Sequence, residues 1–173
     1  MSALGRPKGK EEKYSLKHIV SKVSEVLNVP VLFASDCRGE VAQNAANSLQ
    51  PGQVLLLENL RFYAEEEAGD VAFAKELASL GDIYINDAFS CSHREEASIH
   101  KITKYIKESY AGPLLKKELA AINTIIENKK EPVTCIIGGS KISTKINVIT
   151  NLIKNVNNII MYRCFKNEIQ FFL

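Results

Sequence analysis

Val54-Leu55-Leu56-Leu57, preceded along the chain by Val29-Pro30-Val31-Leu32-Phe33-Ala34 and followed by Ile83-Tyr84-Ile85, is the kind of run that decides the architecture. A short segment that is apolar throughout, with no polar residue at alternate positions, reads as a strand buried on both faces. Between these runs the period changes. A small-residue helix is expected from about Glu40 to Leu49, punctuated by Pro51-Gly52. A second helix is expected over Asp70 to Leu80, with Phe73, Ala74, Leu77 and Ala78 on one face and Gly81 at its C′ position. Strands that alternate with helices in this way predict a parallel sheet covered on both faces. In such sheets ligands sit at the carboxyl ends of the strands, so the loops after Ala34, Leu57 and Ile85 are where chemistry is to be sought.

Outward from this centre the same logic continues. Leu16, Ile19, Val20, Val23, Val26 and Leu27 fall at helical spacing behind Ser15, a suitable N-cap. A basic helix is expected over about Ser98 to Lys107, and Ala111-Gly112-Pro113 breaks the chain. A long amphipathic helix carries Leu114, Leu115, Leu119, Ile122, Ile125 and Ile126, and Lys129-Lys130-Glu131-Pro132 reads as a linker. Beyond it come a fourth strand, Val133 to Ile137, a helix through about Lys154, and a fifth strand beginning at Asn158 to Met161.

Composition excludes several classes of function. The chain has 173 residues, 46% hydrophobic and 24% charged, with 22 Lys plus Arg against 20 Asp plus Glu, a formal net charge of +2. That balance is too mild to imply a nucleic acid or an acidic membrane as partner, so any anion site must come from a local cluster. No apolar run reaches the roughly 18 residues a membrane span requires. Met1 to Lys10 is polar and turn-rich, unlike the apolar core of a secretory signal. Cys37, Cys91, Cys135 and Cys164 stand singly, with no C-x-x-C pair, and read as reduced thiols. A cytoplasmic protein is expected.

Arginines collect where ligands are expected. Arg61 follows the second strand, His93 and Arg94 follow the third, and Arg6 lies in a loop before the first helix. If these loops share one edge of the sheet, three guanidiniums converge, each a planar fork that matches a carboxylate or phosphate. For any single Arg a solvated loop position is the better reading. The company of Asn59, Asn86, Asp87 and His93 at strand ends weakens that preference without reversing it.

Gly138-Gly139-Ser140-Lys141-Ile142-Ser143-Thr144-Lys145 sits between a strand and a helix. Two glycines let backbone N–H groups approach an anion at a helix N-terminus. Lys141 and Lys145, four apart, share one helix face. The order of a Walker A loop is absent, and a plain strand-to-helix turn with two exposed lysines fits equally well. Glu65, Glu66 and Glu67 read as solvated loop carboxylates rather than metal ligands, and no residue is assigned to a metal. Cys91 beside His93 fits no nucleophilic dyad and reads as structural.

Taken together, the ordered strings resemble the phosphoglycerate kinase family. They are Leu4-Gly5-Arg6-Pro7-Lys8-Gly9, Tyr14-Ser15-Leu16, Leu55 to Phe62, Asn86-Asp87-Ala88-Phe89 with His93-Arg94 and Ala97-Ser98, Lys116 to Leu119, and Gly138 to Lys141 with Lys145-Ile146. The resemblance covers the chain to about Met161. It implies a Rossmann-like three-layer α/β fold, incomplete here, and the start of a second α/β domain. Residues 1–112 would be a partial triose-phosphate-binding domain, 113–131 the interdomain helix and linker, and 132–173 the truncated start of the nucleotide-binding domain. It further implies reversible phosphoryl transfer between ATP and the carboxylate of 3-phosphoglycerate, forming 1,3-bisphosphoglycerate, with Mg²⁺ accompanying ATP or ADP. Leu4, Gly5, Arg6, Arg61 and Arg94 would bind the acid substrate and Lys141 would approach the transferring phosphoryl group. Gly138, Gly139, Lys141 and Lys145 would contact nucleotide phosphates. The resemblance also implies a monomer.

The chain also departs from the family pattern. An Arg-Val-Asp-Phe-Asn-type strand and a further essential arginine are absent. Glu95-Glu96 replaces a commoner Ala-His or Ala-Gln, placing negative charge beside the anion site. Tyr162 to Leu173 does not follow the family and looks like a frameshift or an early stop. Uncovered apolar helix faces and sheet edges, marginal stability and self-association are therefore expected. The chain in isolation is expected to be a non-catalytic remnant with at most a weak anion site, or a half that needs a complementing chain.

Overall fold

Ser15 ends the N-terminal segment and starts the first helical stretch, its hydroxyl accepting the Lys17 N–H at 3.2 Å. A 3-10 turn over Leu16–Ile19 leads directly into α1 (Val20–Leu27), which stops where Asn28 adopts the left-handed conformation. The computed structural model describes residues 1–127, 130–138, 146–165 and 168–172. Gly139, Lys141 and Lys145 lie outside the described residues.

The chain divides into two compact units, Met1–Lys116 and Lys117–Leu173. In the first, β1 (Val31–Ala34) pairs in parallel with β2 (Val54–Leu57), Val31 opposite Val54 and Ala34 opposite Leu57. The crossover is α2 (Gly39–Asn47), whose small residues allow close approach and whose Ala42 is fully buried. After β2 come α3 (Ala64–Ala68), α4 (Val71–Ala78) and β3 (Ile83–Asn86). Asp70 is the N-cap of α4, its carboxylate accepting the Phe73 N–H at 2.8 Å. Phe73, Ala74, Leu77 and Ala78 pack with Ala34, Cys37, Leu57, Leu60, Tyr84 and Ile102 into one core. The apolar face read for this helix is the face that is buried.

The helix α5 (Pro113–Glu127) begins in the first unit and continues into the second. There β5 (Thr134–Gly138) pairs in parallel with β6 (Asn158–Phe165), with α6 (Ile146–Ile153) between them in sequence. β6 runs on to Phe165, and β7 (Glu168–Phe172) pairs antiparallel to it.

Four local expectations change. Ser98 to Lys107 is not a helix. It holds a 3-10 turn over Lys101–Lys104, and is followed by a strand unread in the sequence, β4 (Glu108–Ala111), parallel to β3. Tertiary bonds dictate this: Ser98 N–H is taken by the Glu66 carboxylate, Ala97 N–H by the Glu66 carbonyl, and Ile102 is drawn fully into the core. Glu108-Ser109-Tyr110-Ala111 is neither an apolar run nor an alternation, and all four residues are exposed. The Glu65 to Glu67 stretch is helical, and Glu66 is buried rather than solvated. Gly81 does not cap α4; the helix closes earlier, at Ser79, whose N–H bonds the Lys75 carbonyl at 3.0 Å.

The last change concerns the sheet. β1–β2 and β3–β4 form separate two-stranded parallel sheets, so the strands of the first unit are incompletely covered. Ile83 and Ile85 are 56% and 60% exposed while Tyr84 between them is buried, so one face of β3 has no covering layer.

Candidate anion site

Glu58 and Asn59 continue β2 past its apolar run, and both are buried. Their polar groups bind backbone and one hydroxyl. The Glu58 carboxylate accepts from the Ser15 hydroxyl at 2.6 Å, the Leu16 N–H at 2.8 Å and the Asn59 N–H at 2.7 Å. The Asn59 amide donates to the carbonyls of Leu4 (2.8 Å) and Tyr14 (3.0 Å). Its oxygen accepts from the N–H groups of Leu4 and Arg61, both at 3.1 Å. The end of β2 thus clamps the N-terminal segment alongside Arg61. Gly5, next in that segment, has φ +66°, and a Cβ there would collide with the Tyr14 ring, so only glycine suits the turn.

The Arg61 guanidinium, 17% exposed, donates through one terminal nitrogen to the Gly5 carbonyl at 2.9 Å and through the other to Oε1 of Glu96 at 3.4 Å. Its buried Nε has no hydrogen-bond partner, the nearest carboxylate being Glu67 at 3.6 Å. Arg94 donates to the same Glu96 oxygen at 2.8 Å, and this bond raises the guanidinium's pKa further. Arg6 follows Gly5 with its side chain exposed and without a polar partner among the described residues. The structure therefore brings Arg61 and Arg94 onto one carboxylate and ties Leu4 and Gly5 alongside. Gly138 ends β5 in the other unit.

A cavity of about 830 Å³ opens beside this cluster, lined by Ser2, Ala3 and Arg61 and by β3, Cys91 and Arg94. Glu66, Glu96 and Ser98 also line it. The Glu66 carboxylate accepts the Ser98 N–H at 3.0 Å and the Ser98 hydroxyl in a shorter contact. Burial pushes the Glu66 pKa up against the opposing effect of those bonds. Asn86 and Asp87 have other occupations. Asn86 accepts the Ala88 N–H at 2.9 Å, and Asp87 accepts the Leu115 N–H at 2.9 Å in the first turn of α5. His93 is exposed. Among the described residues no group of three or more His, Cys, Asp or Glu is placed to hold a metal ion.

Sequence reasoning missed Glu58, Glu66 and Ser98 and left Glu96 undirected. The available signal was position: Glu58 adjoins an all-apolar strand, where a charge is buried only if backbone groups satisfy it.

A sequence model of the family described as phosphoglycerate kinase matches residues 1–167. The chain belongs to the phosphoglycerate kinase family. It is 48% identical over 168 residues to the phosphoglycerate kinase of Wolbachia pipientis wMel, covering 97% of this chain and 42% of that protein. It is 50% identical over 160 residues to the cytosolic phosphoglycerate kinase 3 of Arabidopsis thaliana, covering 92% and 40%. The solved phosphoglycerate kinase of Coxiella burnetii superposes with a TM-score of 0.76 at 36% identity, over 92% of this chain and 40% of that one. That of Pyrococcus horikoshii OT3 gives 0.79 at 26% identity, over 93% and 42%. The chain spans about two fifths of the length of the phosphoglycerate kinases it matches. The α/β architecture expected from the alternating apolar runs is that of this family.

Proposed function

We propose that residues 1–112 are the acid-binding part of a phosphoglycerate kinase, whose reaction is reversible phosphoryl transfer between ATP and the carboxylate of 3-phosphoglycerate. The observation that carries this reading is the convergence of Arg61 and Arg94, from loops after two different strands, on one carboxylate oxygen. A pair of guanidiniums that already holds a carboxylate has the chemistry to hold a sugar acid or its phosphate. Exposed Arg6 and the backbone of Leu4 and Gly5, held beside Arg61, also contact the acid in this reading. In this reading Lys141 approaches the transferring phosphoryl group, Gly138, Gly139 and Lys145 contact the nucleotide phosphates, and Mg²⁺ arrives with ATP or ADP. Residues 113–131 act as interdomain helix and linker between 1–112 and 132–173. The setting is cytoplasmic.

The reaction suits an Arg-rich site poor in histidine. A carboxylate nucleophile is ionised at neutral pH, so no general base is required, and catalysis rests on alignment and positive charge. The 173-residue chain alone binds acid weakly and does not turn over, because alignment of both substrates accounts for about 7–11 kcal/mol of barrier and needs both sites intact. A coupled assay of 1,3-bisphosphoglycerate formation tests this: turnover by the purified chain above an Arg94→Ala, Lys141→Ala control overturns it. Calorimetric titration with 3-phosphoglycerate tests the site itself. Arg61→Ala and Arg94→Ala should each weaken binding by about tenfold or more. Unchanged affinity in both would refute the assignment.

A further inference from the structure

Glu96 stands where an external anion would stand. Its Oε1 accepts from Arg94 at 2.8 Å and from Arg61 at 3.4 Å, and its side chain is only 9% exposed on the cavity wall. Its backbone is fixed, the carbonyl accepting the N–H groups of His100 at 2.9 Å and Ile99 at 3.2 Å. Exposed Glu95, its neighbour in sequence, has no ion pair with either arginine.

We infer that Glu96 is an internal ligand of the anion site and the residue that sets its affinity. Its carboxylate holds the two guanidiniums an incoming carboxylate or phosphate would use, so ligand binding is an exchange of one anion for another. This rests on the anion-site reading above. The positive charges of Arg61 and Arg94 are matched locally by Glu96 and by Glu67, which weakens the pull of this pair on a second anion. A ligand must displace Glu96, and its apparent affinity falls by the fraction of time the forks are free. The exchange favours dianionic ligands, which regain more than one carboxylate contact, over monocarboxylates.

The test is calorimetric titration of the full chain with 3-phosphoglycerate and with inorganic phosphate, in the parent and in Glu96→Gln and Glu95→Gln. The two substitutions change net charge equally, but only the first releases the guanidiniums. Glu96→Gln should tighten binding by about tenfold or more, and Glu95→Gln should change it by less than about twofold. Binding to Glu96→Gln alone supports the inference in its strong form, a site closed by its own carboxylate. Equal or weaker binding by Glu96→Gln, with the parent still binding, overturns the inference and leaves the anion site standing. No binding by either protein, both folded by circular dichroism, overturns the anion site and the inference with it. If Glu96→Gln does not fold, Glu96→Asp withdraws the carboxylate by one methylene and should also tighten binding; failure to do so overturns the inference.

Discussion

Asn59 and Glu58 show how much a strand end can carry. Each is buried and bonded to the N-terminal segment, Asn59 to the backbone of Leu4 and Tyr14 and Glu58 to the Ser15 hydroxyl and the Leu16 N–H. The course of that segment therefore depends on two side chains far away in sequence. Glu66 is a buried carboxyl of another kind. Burial raises its folded pKa above the ordinary value of 4.5. The folded state therefore holds this proton more tightly than the unfolded state. The resulting stability is complete below about pH 4.5 and is lost as pH rises through the raised value. Urea unfolding at about pH 4.5 and about pH 8 should show the parent losing stability that Glu66→Gln retains. An identical pH slope in the two proteins would refute this.

At the scale of elements, β3 organises its surroundings through its carboxyl end and one edge. Asp87, just past the strand, receives the Leu115 N–H and so caps α5 from outside the helix. Gly112, which precedes α5, has no room for a Cβ because Asp87 fills that space. Asp87→Ala should cost about 1 kcal/mol and lower the thermal midpoint, and Gly112→Ala should do the same by displacing the carboxylate. Midpoints equal to the parent's in both would refute the cap. The strand β4 was illegible because Glu108-Ser109-Tyr110-Ala111 is neither an apolar run nor a polar–apolar alternation, and all four of its residues are exposed. What makes it a strand is pairing with β3, Ile83 opposite Glu108 through Asn86 opposite Ala111.

At the scale of the molecule, exposed apolar surface is the dominant feature. Ile83 and Ile85 project from a sheet of two strands, and Leu32 on β1 is also exposed. Such a surface favours association with other chains or with a second copy. Sedimentation velocity should show concentration-dependent association of the parent, reduced in Ile83→Thr/Ile85→Thr, which keeps β-branching while adding a hydroxyl. A parent that stays monomeric at high concentration would refute the prediction.

The sequence by itself determined the alternation of strands and helices, the core face of α4, the family and the stations of Arg61 and Arg94 at strand ends. All of these follow from local periodicity and from ordered motifs, which need no knowledge of distant contacts. Tertiary structure alone decided the rest. It buried Glu66 and satisfied it with Ser98, replaced an expected helix with a turn and a polar strand, and turned Glu96 inward between two arginines. Each of those outcomes depends on a partner remote in sequence or on the direction of one side chain, and a buried charge finds its place only when a folded chain supplies the hydrogen bonds that compensate its lost hydration.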